Sequence, residues 1–164
     1  MSDTHKIIEG TLIPPGNARF GVVASRFNDF IVDRLVAGAT DCVLRHGGSE
    51  AQIDLIKVPG SFELPQAALQ AARSGAYAGV AVLGAVIRGG TPHFDMIAAE
   101  VTKGTAQVAL ETGVPVVFGV LTTDSVEQAI ERAGTKMGNK GWEASQSLLE
   151  MVDLAKKLAP KGKR

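Results

Sequence analysis

The sequence has little cysteine, few aromatic residues and no long apolar run. Cys42 is the one cysteine among 164 residues, so the chain cannot form an internal disulfide. That cysteine and the three scattered histidines do not have the spacing of a metal site. No segment reaches the roughly 18 apolar residues of a membrane span, and no secretion signal follows Met1. We therefore expect a cytoplasmic protein without a metal and without a membrane partner.

The chain also lacks an excess of charge of either sign. Lys and Arg number 17, and Asp and Glu also number 17. Without a basic field we expect no nucleic-acid partner. The apolar fraction of 45% and the charged fraction of 21% are typical of a globular protein of one domain. We divide the chain into an N-terminal arm at 1–17, a single domain at 18–159 and a flexible tail at 160–164.

A strand, turn and helix pattern recurs four times along the sequence. Apolar runs at residues 20–24, 53–58, 79–87 and 116–120 read as strands, and helical periodicity follows each of them. A fifth helix precedes Pro160. Because unbroken apolar strands that alternate with helices favour a parallel sheet covered on both faces, the pattern predicts an α/β protein. The expected fold is a flavodoxin-like three-layer αβα sandwich with a four-stranded parallel sheet.

The ends of the predicted helices follow from capping signals. Asn28 and Asp29 are expected to cap the first helix, and the third helix is expected at 95–113. Asp124 and Glu127 have the spacing of a capping box, and the helix after them is expected to continue to a glycine at 134.

Residues 6–12 form a candidate strand that has no place in this sheet. Pro14 and Pro15 follow it and cannot continue a strand. One hypothesis is that the arm adds to the sheet edge of a neighbouring subunit.

The loop at 88–93 joins the third strand to a helix, at the sheet edge where ligands bind in such folds. Its glycines allow backbone amides to approach a phosphate, although a tight turn would need the same glycines. The loop matches neither a dinucleotide fingerprint nor a Walker A motif. His93 can move protons near neutral pH, or it can be a structural donor.

Other candidate residues also have two interpretations each. Phe27 is placed to stack on a heterocycle whose polar edge Asn28 binds, or to serve as a hydrophobic staple. Glu63 can accept hydrogen bonds from sugar hydroxyls, or only complement a helix dipole. Arg132 and Lys140 lie near a helix C-terminus, which stabilises cations without any ligand, but a guanidinium there can also reach a phosphate across a subunit boundary. No Ser-His-Asp or Cys-His pair is evident, which disfavours covalent hydrolysis.

Five segments are specific in combination: Arg26-Phe-Asn-Asp-Phe30, Pro59-Gly-Ser-Phe-Glu-Leu-Pro65, Gly84-Ala-Val-Ile-Arg-Gly-Gly-Thr-Pro-His-Phe94, Phe118-Gly-Val-Leu-Thr-Thr123 and Glu127-Gln-Ala-Ile-Glu-Arg-Ala-Gly-Thr-Lys-Met-Gly-Asn-Lys-Gly141. Together they resemble the lumazine synthase family, from about residue 7 to residue 158. The resemblance implies a transferase of riboflavin biosynthesis that works without a cofactor. Such an enzyme condenses 5-amino-6-(D-ribitylamino)uracil with L-3,4-dihydroxy-2-butanone 4-phosphate to 6,7-dimethyl-8-ribityllumazine, and it releases phosphate and water.

The resemblance also implies roles for particular residues. His93 would assist proton transfers. Phe118 and Arg132 would come from an adjacent subunit. The residues implied to contact substrate are Phe27, Asn28, Ser61, Phe62, Glu63, Ala85, Val86, Ile87, Gly90, Thr91, Phe118, Arg132 and Lys140. The chain departs from the family pattern at Ala85 and Met137.

The family forms homopentamers, some of which assemble into icosahedral shells of 60 subunits. The short connection at 138–141 resembles the shell-forming members, and riboflavin synthase is an implied partner. Two other readings stay open at this point: a flavin-binding electron carrier, and an inactive relative that binds flavin or lumazine or forms shells. A phosphate-controlled receiver would need an acidic cluster at the strand ends, which the sequence lacks.

Overall fold

The computed structural model describes residues 4–162, and four strands form its main sheet. These are β1 (Phe20–Ser25), β2 (Ile53–Val58), β3 (Gly79–Ile87) and β4 (Val116–Thr123). They are parallel in the order β2-β1-β3-β4. The predicted parallel sheet is confirmed, and β4 continues past the predicted end at residue 120 to Thr123.

Five helices cover the two faces of this sheet: α1 (Asp29–Arg45), α2 (Leu64–Arg73), α3 (His93–Thr112), α4 (Val126–Glu131) and α5 (Lys140–Leu158). Side chains of β3 alternate between the two cores. Ala81 and Leu83 face a core shared with α1 and α5, whereas Val80 and Val82 face a core shared with α2 and α3. The αβα sandwich is therefore confirmed. Within residues 4–162, no helix combines the length and apolar character that crossing a bilayer requires.

One predicted helix start and two predicted side-chain caps are wrong. α3 begins at His93, two residues before the predicted start. Asn28 does precede α1, but its side chain makes no cap hydrogen bond. At α4 the cap is Ser125, whose Oγ accepts a hydrogen bond from the Gln128 amide, and not Asp124.

The chain beyond α4 forms a small hairpin that the sequence did not reveal. The helix ends at Glu131, and β5 (Ala133–Thr135) pairs with β6 (Gly138–Asn139). The Met137 amide donates to the carbonyl of Glu131 at 2.7 Å, and the Lys140 amide donates to the carbonyl of Arg132 at 2.9 Å. Gly134 and Gly138 have φ of 109° and 78°, a left-handed backbone that favours glycine.

Residues 4–11 belong to no helix or strand, and part of this segment lies on α5. The Thr11 amide donates to Asp153 Oδ2 at 2.8 Å, and Lys157 Nζ donates to the Glu9 carbonyl at 2.9 Å. Hydrogen bonds from Lys157, which has the larger effect, and from the Thr11 amide lower the pKa of Asp153. Ile7 and Ile8 are exposed. Addition of the arm to a neighbour's sheet stays a prediction, and residues 1–3 of that arm and 163–164 of the predicted tail lie outside the described residues.

A close approach between α1 and α5 holds the start of α5 in place. Asn139 Oδ1 accepts hydrogen bonds from the amides of Gly141 and Trp142, while its Nδ2 donates to the Arg34 carbonyl in α1. Gly141 is buried directly against the backbone of Leu35, with no room for a side chain. These contacts position Lys140, the first residue of α5.

We predict that Gly141→Ala destabilises the protein by about 1–3 kcal/mol, because the added methyl forces α5 away from α1. Thermal unfolding checks this. Gly16→Ala is the matched control, since a Cβ on Gly16 meets no atom within 4 Å. Equal melting temperatures for the two variants would contradict the prediction.

Candidate active site

A pocket of about 810 Å³ opens at the carboxyl edge of the sheet. The order of the strands reverses here, because β1 and β3 are neighbours whose connections leave in opposite directions. The residues that line the pocket are Phe27, Asn28, Pro59, Gly60, Ser61, Phe62, Glu63, Ala85, Val86, Ile87, Gly89, Thr91, His93, Phe94, Ile97 and Val126.

The exit of β1 supplies an aromatic ring and a fixed amide. The Phe27 side chain is 73% exposed, so its ring face is open to a ligand. Asn28 has φ 62° and ψ 38°, and it is the one residue other than glycine with positive φ in the described chain. Its Nδ2 donates to the Ala85 carbonyl on β3 at 2.8 Å. Asn28 therefore joins the two strand ends on either side of the pocket.

The exit of β2 supplies a second aromatic ring and a carboxylate. Residues Ser61–Glu63 form one 3₁₀ turn before α2. Glu63 Oε2 accepts a hydrogen bond from the Gly60 amide at 3.0 Å, which closes the turn. Phe62 is 63% exposed. A Cβ on Gly84 of β3 would meet Leu64 at 2.9 Å and Ser61 at 3.0 Å, so this glycine lets the turn approach the sheet.

The exit of β3 supplies backbone groups and the histidine. Val86 and Ile87 end the strand, and the exposed residues Gly89 and Thr91 line the pocket ahead of α3. His93 is the first residue of α3 and is exposed. The N-terminus of this long helix favours an anion in front of it, because its first amides lack partners within the helix. One pocket therefore combines a position for a phosphate, two aromatic rings and a candidate acid-base group, His93.

The structure does not place every predicted residue in this pocket. Arg132 and Lys140 line a second, smaller cavity of about 280 Å³ together with Met137 and Glu143. Arg132 is the C-cap of α4, and its Nη1 donates to the Gln128 carbonyl at 3.1 Å. Lys140 Nζ lies 3.7 Å from Glu143.

The remaining two predicted residues line neither cavity. Gly90 is exposed in the loop before α3, between two residues that do line the pocket. Phe118 is half-buried in the edge strand β4 and packs on the core beneath α3.

Several pocket residues were missed from the sequence. Phe94 and Ile97 contribute an apolar wall from the first turn of α3, and Val126 contributes from the start of α4. The spacing of Phe94 and Ile97, three residues apart on a helix, places them on one face and was a usable signal. Among residues 4–162, no group of three His, Cys, Asp or Glu side chains comes together as a metal site.

The fold and the pocket define a class: an α/β protein with a candidate small-molecule pocket at the switch point of a parallel sheet. The family described as 6,7-dimethyl-8-ribityllumazine synthase matches residues 17–156. A protein of that name from Prosthecochloris aestuarii is 63% identical over 92% of this chain and 97% of its own length. Namesakes from Chlorobaculum parvum and Helicobacter hepaticus are 60% and 57% identical, over 92% and 93% of this chain and 96% and 97% of their own lengths. The chain belongs to the 6,7-dimethyl-8-ribityllumazine synthase family.

We predict that Asn28→Ala destabilises the fold by about 1–3 kcal/mol, because alanine resists the left-handed backbone and loses the bond to Ala85. Asn28→Gly keeps the backbone conformation and loses only the bond, so its cost is about 1 kcal/mol. Urea unfolding at equilibrium measures both values. If glycine proved as costly as alanine, backbone strain would have no part in the effect.

Proposed function

We propose that this protein is an enzyme of riboflavin biosynthesis that forms 6,7-dimethyl-8-ribityllumazine. Its substrates are 5-amino-6-(D-ribitylamino)uracil and L-3,4-dihydroxy-2-butanone 4-phosphate, and its other products are phosphate and water. The observation that carries the proposal is the single pocket into which strand exits bring Phe27, Glu63 and His93. Membership of the family supports the choice of reaction.

The two exposed rings and the carboxylate suit the pyrimidine substrate. Phe27 stacks on the heterocycle, and Asn28 holds its polar edge beside the backbone of Val86 and Ile87. Phe62 and Glu63 position the ribityl chain, whose hydroxyls donate to the carboxylate. The Gly60 amide already fixes the orientation of that carboxylate, so little freedom is lost on binding.

The loop before α3 and a guanidinium suit the phosphorylated ketone. Amides of Gly90 and Thr91 hold the phosphate in front of the α3 N-terminus, and Arg132 adds a bidentate contact. The primary amine then attacks the ketone carbonyl and forms a Schiff base, phosphate leaves, and the ring closes. His93 moves protons in these steps. Alignment of amine and ketone contributes most, since well-oriented intramolecular reactions gain roughly 7–11 kcal/mol.

Two copies of the chain complete each site in this proposal. Arg132 and Lys140 line a cavity separate from the main pocket of their own chain, which supports their donation to the pocket of an adjacent copy. Phe118 is assigned to the adjacent copy as well. We propose a homopentamer in the cytoplasm, assembled further into a 60-subunit shell, with riboflavin synthase as a partner.

Mixing the protein with both substrates tests the reaction. Lumazine fluorescence and inorganic phosphate should rise together in a ratio of one to one, and either substrate alone should give neither signal. Phosphate release without fluorescence would indicate hydrolysis of the ketone substrate. Absence of both signals from folded protein would contradict the proposal and favour an inactive relative.

We predict that Arg132→Ala lowers kcat/KM more than His93→Ala does. Loss of His93 leaves the substrates aligned and removes acid-base catalysis that contributes about two to four powers of ten in rate. That variant is therefore slow but active. Loss of Arg132 removes the charge that orients the phosphate. Steady-state kinetics give the ranking, and Arg45→Ala, at the C-terminal end of α1, is the control. Comparable losses in both variants would remove the ranking.

We predict that deleting residues 1–8 reduces the size of the oligomer, because this part of the arm adds to a neighbour's sheet edge. The deletion keeps the contacts of Glu9 and Thr11 with α5, so the subunit itself should stay folded. Light scattering measures the size, and deletion of residues 160–164 is the control. An unchanged mass would exclude this role for residues 1–8.

A further inference from the structure

Arg88 makes contacts with three separate groups beside the loop before α3. Its Nε donates to Asp124 Oδ1 at 2.9 Å, beyond the end of β4. Its Nη2 lies 3.3 Å from Asp95 Oδ1, in the first turn of α3. The guanidinium carbon lies 4.3 Å from the centre of the Phe94 ring, which is a cation-π distance. One side chain thus joins two carboxylates and an aromatic wall of the pocket.

These contacts close the loop at both of its ends. Arg88 immediately precedes the four loop residues at 89–92, and Asp95 follows the last of them by three residues. The ion pair therefore spans the base of the loop. The Arg88 amide also donates to the Thr123 carbonyl at 2.8 Å, so the same residue fixes the loop to the end of β4 through its backbone.

The contacts also change the charge that a phosphate would meet. Asp95 and Asp124 are exposed carboxylates next to a loop that we assign to an anion. Unpaired, both would repel a phosphate at the α3 N-terminus. Arg88 neutralises part of this charge while its planar fork is held on Phe94, an arrangement that lysine cannot reproduce.

We infer that Arg88 is a positioning residue, which holds the 89–92 loop in the conformation that receives the phosphate of the ketone substrate. This inference rests on the proposed function. A purely structural ion pair would affect stability alone, and exposed pairs contribute little even there. A positioning role instead changes the recognition of one substrate and spares the other.

Kinetics of Arg88→Met and Arg88→Lys test the inference. In Arg88→Met we expect KM for the phosphorylated ketone to rise about five- to tenfold, and KM for the pyrimidine by less than about twofold. In Arg88→Lys the KM for the ketone should stay above that of the unmodified protein and below that of Arg88→Met. Arg73→Met is the matched control, because Arg73 pairs at 3.6 Å with Glu111 near the other end of α3. An equal rise in both KM values, or no rise, would overturn the inference.

The triple variant R88M/D95N/D124N separates positioning from charge. It removes the two carboxylates that Arg88 neutralises but does not restore the tie across the loop. We expect its KM for the ketone to stay raised by at least about threefold over that of the unmodified protein. Complete recovery would overturn the positioning role.

Hydrogen exchange of the loop amides gives a readout that does not require catalysis. We expect the amides of residues 89–91 and 93 to exchange about tenfold faster in Arg88→Met than in the unmodified protein or in Arg73→Met, since Pro92 has no amide hydrogen. Inorganic phosphate should slow this exchange in the unmodified protein and much less in Arg88→Met. If the unmodified protein forms no lumazine, the proposed function fails, and exchange alone then decides the role of Arg88. Equal exchange and equal protection in both proteins would overturn it.

Discussion

The hydrogen bond from Asn28 to the Ala85 carbonyl joins β1 and β3 at the point where the strand order reverses. The candidate site depends on this junction, because the connections after these strands diverge and leave a gap between them. Asn28 adopts a left-handed backbone there, which turns the chain into α1 and leaves Phe27 exposed beside the gap. The Asn28 side chain makes no cap hydrogen bond to α1, and its Nδ2 instead ties the mouth of the pocket to the end of β3.

The residues that we assign to the site divide between two places on the chain. The main pocket holds rings, a carboxylate and a histidine, whereas Arg132 and Lys140 line the second cavity, at the end of α4 and the start of α5. The close packing of Gly141 on α1 and the bonds of Asn139 position Lys140, whose amide donates in turn to the carbonyl of Arg132. Neither half contains all the partners that the proposed reaction needs. Catalysis by alignment requires the two halves to face each other, so assembly and activity are coupled in this account.

Much of the fold was predictable because it depends on local patterns. The predicted bounds of β2 and β3 match the observed strands at every residue, because turn signals flank both apolar runs. The hairpin of β5 and β6 was missed, because its strands are three and two residues long and have no periodicity to detect. The role of Asn28 was not predictable, because the carbonyl that its Nδ2 contacts, that of Ala85, is 57 residues away in sequence. For the site, strand ends and motif resemblance selected most residues that line the main pocket. They could not show that Arg132 and Lys140 line another cavity, since that depends on the three-dimensional course of the hairpin.

Mixed oligomers provide the most direct test of a site shared between copies. One variant carries Phe27→Ala and His93→Ala, and the other carries Arg132→Ala; the two are unfolded, mixed in equal amounts and refolded together. If each site takes its two halves from adjacent copies, random mixing restores roughly a quarter of the sites, and lumazine formation should rise to about that fraction of normal activity. The same proteins refolded separately and then combined should show only their residual activities. Refolding together without any gain in activity would contradict the account, because a site contained in one chain cannot be repaired by its neighbour.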